Sequence, residues 1–197
     1  SKYSCLGSKG KKLAREIKNA DIFYYTGISA GILDINQRKD LIHIGSSAVI
    51  CGFDFNYRSQ VHNNKKVSQL LFREISENVD INFVSFDDVK ELFDFKNPLE
   101  VFEILNDKKN LILMRYKDSI IFKNKQQEIK TIKVPHGKVV DTTAAGDAFN
   151  GSFLALINNN KNISIEDTIL KSHSVTREVI KHKGAIISNK NMPKINT

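Results

Sequence analysis

Val139-Val-Asp-Thr-Thr-Ala-Ala-Gly-Asp-Ala-Phe-Asn-Gly-Ser-Phe-Leu-Ala-Leu156 is the stretch from which the rest of this 197-residue chain can be organised. Its two valines predict a short β-like run, Thr143-Ala-Ala-Gly146 a small-residue turn, and the residues after it a helix. Phe149, Phe153, Leu156 and Ile157 recur at helical spacing and make one apolar stripe. Ala148, Gly151, Ser152 and Ala155 make a neighbouring face of small side chains, expected to let the helix lie close to a sheet. The turn falls at the helix N-terminus, where the first amides lack intrahelical partners and the helix dipole is positive. Such a place suits an anion, phosphate in particular. Asp147 stands in the first turn, and a carboxylate there would repel a phosphate that was merely bound. It makes sense as a base that takes a proton from a hydroxyl while the amides hold the charge developing on a transferring phosphoryl group. The plainer alternative is an ordinary capped helix, since Asp and Thr are common near helix starts.

Asp141-Thr-Thr-Ala-Ala-Gly-Asp147 resembles the signature Asp-Thr-x-Gly-Ala-Gly-Asp of the ribokinase (PfkB-type) sugar kinases. With Ala144 in place of the first glycine, it is similar to the form in bacterial 2-keto-3-deoxygluconate kinases. The resemblance implies that Asp147 is the catalytic base and that the amides of Ala144, Ala145 and Gly146 form the anion hole.

Length and composition fit that class. The chain suits one domain spanning residues 1–197 with a layered core. Its 41% hydrophobic and 26% charged content are those of a soluble globular protein. No apolar run approaches a membrane span, and no signal-peptide pattern opens the chain. Cys5 and Cys51 are the two cysteines, with Cys51 inside an apolar run, so a reducing cytoplasm is expected rather than a disulfide framework. The chain starts Ser1-Lys-Tyr without a methionine, which predicts an incomplete translation product. The net charge of +8 comes from lysines scattered among asparagines, as in Asn158-Asn-Asn-Lys-Asn162. That pattern predicts a solvated surface and not a nucleic-acid face.

Strand-like and helix-like segments alternate. Helices are predicted near 11–19, 35–45 (capped by Asp34), 67–75, 86–94, 98–107 and 165–182. Strands are predicted at Ile22–Thr26, Val49–Phe53, Ile81–Val84 and Leu111–Met114, with Ile120–Phe122 and Ile129–Val134 as an antiparallel pair and Gly184–Ile187 as a short extended end. Alternation of this kind implies an α/β fold with a mostly parallel sheet and right-handed crossovers. The family resemblance makes it a ribokinase-like three-layer sandwich. It runs from near Asp21 to Met192-Pro193 and matches only the C-terminal part of the family's pattern, without the N-terminal strands, the glycine-containing sugar-binding segment or the β-stranded lid.

In parallel α/β sheets ligands bind beyond the carboxyl ends of the strands. Asp54-Phe-Asn-Tyr-Arg58 stands just past the Val49 run and resembles the Asp-x-Asn-Tyr-Arg motif of the 2-keto-3-deoxygluconate kinases. The resemblance implies that Asp54 and Arg58 bind substrate, the Arg58 fork of donors holding its carboxylate. Ser85-Phe-Asp-Asp88 stands where the family has Asn-x-x-Glu, which implies that Ser85 and Asp88 orient ATP phosphates and Mg²⁺, with Asp88 the metal-side carboxylate. From the residues alone, Ser85 is equally a helix cap with Asp87 and Asp88 favoured by the dipole. Met114-Arg-Tyr116 stands where the family has Lys-x-Gly, which implies that Tyr116 lies beside the nucleotide, where its bulk would crowd the site or force a different path.

His43, His62, His136, His173 and His182 show no zinc spacing, and no nucleophile elbow or Walker string occurs. The reading is an ATP- and Mg²⁺-dependent kinase of 2-keto-3-deoxygluconate. Its rivals are another ribokinase-family sugar or nucleoside kinase and a noncatalytic nucleotide-binding remnant. Partners are the sugar acid and ATP, without nucleic acid or membrane. A homo-oligomer stays open, with the lid through which relatives tend to dimerise missing from the chain.

Overall fold

A computed structural model describes residues 14–105, 110–124 and 126–193; Cys5 lies outside them. They form two compact units, one from the residues up to Lys117 with Ile121–Thr131, the other from Asp118–Ile120 with the residues from Ile132 on.

The first unit opens with helical residues at 14–18 and then runs β1 (Ile22–Thr26), α1 (Gly27–Gly31), α2 (Ile35–Gly45), β2 (Ile50–Asp54), α3 (Lys65–Glu77), β3 (Ile81–Ser85), α4 (Phe86–Phe93), α5 (Glu100–Ile104) and β4 (Leu111–Tyr116). β5 (Ser119–Lys123) and β6 (Ile129–Lys133) complete a six-stranded sheet ordered β1-β2-β3-β4-β5-β6. β1 to β4 pair in parallel, with Thr26 opposite Asp54, Asp54 opposite Phe83 and Ser85 opposite Arg115. Their carboxyl ends therefore share one edge. β4 and β5 are hydrogen-bonded neighbours joined by only Lys117 and Asp118, which requires antiparallel pairing, and Lys117 takes the positive φ of 52° that so tight a turn demands.

Pleating sends alternate residues to opposite faces. Tyr25, Cys51, Phe53, Val84, Ile112 and Met114 share one buried cluster with Leu71, Phe72 and Ile75 of α3 and Val89 and Leu92 of α4. α2 starts where the sequence places it: Asp34 accepts from Asn36 and Gln37 N–H at 3.0 Å each, while the Gln37 side chain accepts from Asp34 N–H at 3.2 Å. α1, for which no helix is predicted, is capped by Thr26, whose hydroxyl accepts from Ser29 N–H at 3.2 Å.

At Gly27 the chain comes so close to its neighbours that a Cβ would lie 2.1 Å from the Phe55 carbonyl oxygen and 2.5 Å from the Phe72 ring. Gly27→Ala is therefore expected to destabilise the protein by about 1–3 kcal/mol, the usual cost of overpacking. Urea denaturation measures it, and a loss under about 0.5 kcal/mol would mean that the β2 end gives way freely.

The second unit holds α6 (Ala145–Asn159), α7 (Ile165–Val179) and a 3₁₀ turn at Asn189–Asn191. Phe149, Phe153, Leu154 and Leu156 of α6 are buried, as are Ile169, Val175 and Val179 of α7. Ser164 caps α7 through Asp167 N–H at 3.0 Å.

Several sequence expectations change here. Val139 and Val140 form no strand and are more than half exposed; Val140 and Asp141 N–H both bond the Ile180 carbonyl, at 2.8 and 3.2 Å, so the end of α7 satisfies this backbone. Residues 184–187 form no strand either. Gly184 has φ 88° and its N–H goes to the Asp141 carboxylate rather than to a ladder. α7 stops at Val179, three residues short of the predicted end. Among the described residues no helix is long and apolar enough to cross a membrane.

Candidate active site

Five residues singled out in the sequence lie at or just past the common carboxyl edge of the first unit's parallel strands. Asp54 ends β2, is 3% exposed, and accepts from the Tyr24 hydroxyl at 3.3 Å. Phe55 N–H continues the sheet by bonding the Phe83 carbonyl at 3.0 Å, and Asn56 then takes φ 33°, a region Asn tolerates better than most residues. Tyr57 returns to the interior, and Arg58 emerges with its side chain 48% exposed.

Arg58 and Asp88 meet, although 30 positions separate them. Arg58 Nη1 donates to Asp88 Oδ1 at 3.0 Å and to the Tyr57 carbonyl at 2.6 Å. Asp88 lies in the first turn of α4 with its side chain 20% exposed. Burial pushes its carboxyl pKa up; the charges of Arg58 and Arg115 offset part of this, and Asp87 adds to it. Ser85 occupies the N-cap position of α4 but makes no capping bond with its side chain. Tyr116 ends β4 with its ring edge-on to Phe86, centroids 5.1 Å apart at 80°, and Lys117 Nζ lies 5.1 Å from its centroid. Packing against Phe86 takes up the bulk that replaces the family's glycine.

His62 carries a role that its isolation in the sequence hid. It is 5% exposed, one of its ring nitrogens lies 3.0 Å from the Gly27 carbonyl oxygen, and it stacks on Tyr57 with centroids 5.4 Å apart. Val61 and His62 N–H both bond the Arg58 carbonyl, at 3.0 and 3.2 Å, closing the turn that carries Arg58. Burial lowers the His62 pKa, so the ring stays neutral at physiological pH. Nothing local announces this, because its partners at positions 27, 57 and 72 are distant or out of pattern.

In the second unit the signature turn is built around Ala144, which takes φ 61° and ψ 15° before α6 begins. An L-residue is strained there, by roughly 1–2 kcal/mol. Ala145 N–H bonds the Thr142 carbonyl at 3.1 Å, so of the three amides expected to hold an anion this one is already engaged in the turn. Asp147 is exposed in the first turn of α6.

Asp141 organises the turn. Its Oδ1 accepts from Thr143 N–H and its Oδ2 from Gly184 N–H, both at 2.8 Å. The Thr143 side chain, then these two amides, pull its pKa down to about 2. The unfolded value is about 3.9, so this stabilisation is complete above pH ~4 and is lost as pH falls towards 2. Asp141→Asn is expected to flatten the decline of Tm across that window; parallel declines in both proteins would show that the bonds contribute nothing to the fold.

A cavity of about 590 Å³ opens beside Asp147, lined by Ala144, Ala148, Gly151, Ser152 and Ala155 from the turn and α6, by Val175 and Val179 from α7, and by residues 185–187. The small-residue face thus borders open space: a Cβ at Gly151 would meet nothing within 4 Å. The face was visible in the sequence, but small side chains make room for a ligand as readily as for a sheet. An apolar cavity next to helix-terminal amides fits a molecule with a flat apolar part and an anionic tail, as a nucleotide has. The metal is different. Among the described residues no three His, Cys, Asp or Glu side chains cluster to hold an ion, and Asp88 is bound by Arg58.

The model of the pfkB family carbohydrate kinases matches residues 6–192. The 2-dehydro-3-deoxygluconokinase of Escherichia coli (strain K12) is 29% identical over 202 residues, covering 98% of this chain and 65% of that protein. The 2-dehydro-3-deoxygluconokinase of Haemophilus influenzae (strain ATCC 51907 / DSM 11121 / KW20 / Rd) is 34% identical over 184 residues, covering 89% of this chain and 58% of that one. The chain thus spans somewhat less than two thirds of these relatives. Among solved structures, the fructokinase with bound ATP from Xylella fastidiosa matches with a TM-score of 0.74 at 18% identity, covering 91% of this chain and 60% of that one. At that identity the likeness speaks to the fold, which is ribokinase-like.

Proposed function

The chain belongs to the pfkB family of carbohydrate kinases, and from that premise we propose that the protein transfers the γ-phosphoryl group of ATP to 2-keto-3-deoxygluconate (2-dehydro-3-deoxygluconate). The observation that carries the sugar-acid reading is Arg58, a half-exposed guanidinium fixed at the carboxyl edge of the parallel strands. Both units are taken as parts of one family domain, working in the cytoplasm.

In this reading Arg58 holds the substrate carboxylate through charge-assisted bonds, and Asp54 with its Tyr24 partner frames that end of β2. Asp147 accepts the proton of the substrate hydroxyl as it attacks. The N–H groups of Ala144 and Gly146, with that of Ala145 once its turn bond yields, hold the charge on the transferring group. The cavity beside α6 takes the nucleotide base. Ser85, Asp88 and Tyr116 are assigned to the nucleotide by their motif positions at the carboxyl ends of β3 and β4. Mg²⁺ would arrive with the phosphates, whose charge it neutralises.

Arg58→Ala tests the substrate. Losing a charge-assisted bond is expected to weaken 2-keto-3-deoxygluconate about 10- to 100-fold in KM, with far less effect on any neutral sugar the enzyme accepts. Unchanged KM for the acid would hand the protein to another ribokinase-family activity. Tyr116, standing where the family has glycine, favours a second reading, nucleotide binding without turnover, which predicts ATP binding by calorimetry and no phosphorylated product.

A further inference from the structure

Among the described residues, Arg58 is held by one of its nitrogens. Nη1 donates both to the Tyr57 carbonyl and to Asp88 Oδ1. Among the described residues no hydrogen bond reaches Nε or Nη2, the edge of the guanidinium whose two parallel N–H groups match a carboxylate. Both acceptors are anchored. Tyr57 is 3% exposed, stacked on His62 and edge-on to Phe72. Asp88 is fixed by α4, whose Phe86, Val89 and Leu92 are buried.

An ion pair with partners 48% and 20% exposed contributes little to stability. Its effect lies in geometry. A free arginine samples many rotamers, and ordering it on binding costs affinity. We propose that Asp88 is a positioning residue for the substrate clamp: by taking Nη1 it presents the Nε–Nη2 edge of Arg58, pre-ordered, to the carboxylate of the sugar acid. This rests on the reading of Arg58 as the clamp, and it gives Asp88 work on the sugar side that its place in the signature does not suggest.

The test is calorimetric titration of 2-keto-3-deoxygluconate alone, with neither nucleotide nor Mg²⁺, so that any service of Asp88 to phosphates is silent. Asp88→Ala is expected to weaken the acid about five- to tenfold, by freeing the fork. Asp88→Asn keeps an acceptor for Nη1 and is expected to restore affinity to within about twofold of wild type, or to exceed it because a negative charge is gone. Circular dichroism of each variant confirms the fold. Wild-type affinity in Asp88→Ala, or equal losses in the Ala and Asn variants, overturns the positioning role. Arg58→Ala separates the two levels. If it loses the acid while Asp88→Ala does not, the clamp stands and the positioning role fails; if it binds like wild type, or if wild type binds no acid, the clamp reading fails and takes this inference with it.

Discussion

Asp147→Asn is expected to lower kcat by about 10²–10⁴-fold, the range that a positioned general base contributes. The replacement has nearly the same shape and removes only basicity. Asp147 is exposed in the first turn of α6, so no packing should be lost and the fold should survive. Nucleotide binding offers a second readout with the opposite sign. A carboxylate near the amides of Ala144 and Gly146 repels phosphate, so the Asn variant should bind ATP as well as wild type or more tightly, while turning over far less. An ATP-dependent phosphorylation assay with 2-keto-3-deoxygluconate, paired with calorimetry of ATP, checks both. A variant with kcat within threefold of wild type would falsify the base assignment. Parallel loss of ATP binding would make Asp147 a structural part of the turn.

The two units differed in how far the sequence revealed them. Parallel strands buried on both faces read as apolar runs, so β2, β3 and β4 were placed to within two residues, and the capping box at Asp34 and Gln37 marked α2. Val139-Val140 misled because β-branched residues favour extended backbone whether or not a partner strand exists; here the partner is the Ile180 carbonyl at the end of α7. The signature turn was legible as a helix start, but not the left-handed Ala144 or the engaged Ala145 amide, which depend on φ values that composition does not encode. Arg58 and Asp88 were each found by motif. Their meeting was not, since nothing local links positions 30 apart; only the parallel register of β2 and β3 brings the loops that follow them to one edge. His62 was invisible for the same reason, its neighbours being a glycine carbonyl and two rings supplied by the fold.

Phe72→Ala carries the largest expected loss of stability, about 3–5 kcal/mol, because it removes a fully buried ring from a core with little room to collapse. Phe72 is 0% exposed, and its ring lies 5.1–5.9 Å from those of His62, Phe55, Phe53 and Tyr57. Two of these, Phe55 and Tyr57, belong to the motif that ends in Arg58, and His62 closes the turn after it. The substitution should therefore do more than shift a urea midpoint. With Tyr57 and His62 unsupported, the Tyr57 carbonyl that holds Arg58 Nη1 loses its anchor, and affinity for the sugar acid should fall even at temperatures where the variant remains folded. Phe72→Leu restores most of the volume and is expected to recover stability to within about 1.5 kcal/mol. If Leu recovers stability but not affinity, the aromatic stack itself orients the Arg58 turn. If stability and affinity recover together, volume alone suffices. A Phe72→Ala protein that stays folded and binds the acid as tightly as wild type would show that the Arg58 turn holds its shape independently of the core beneath it.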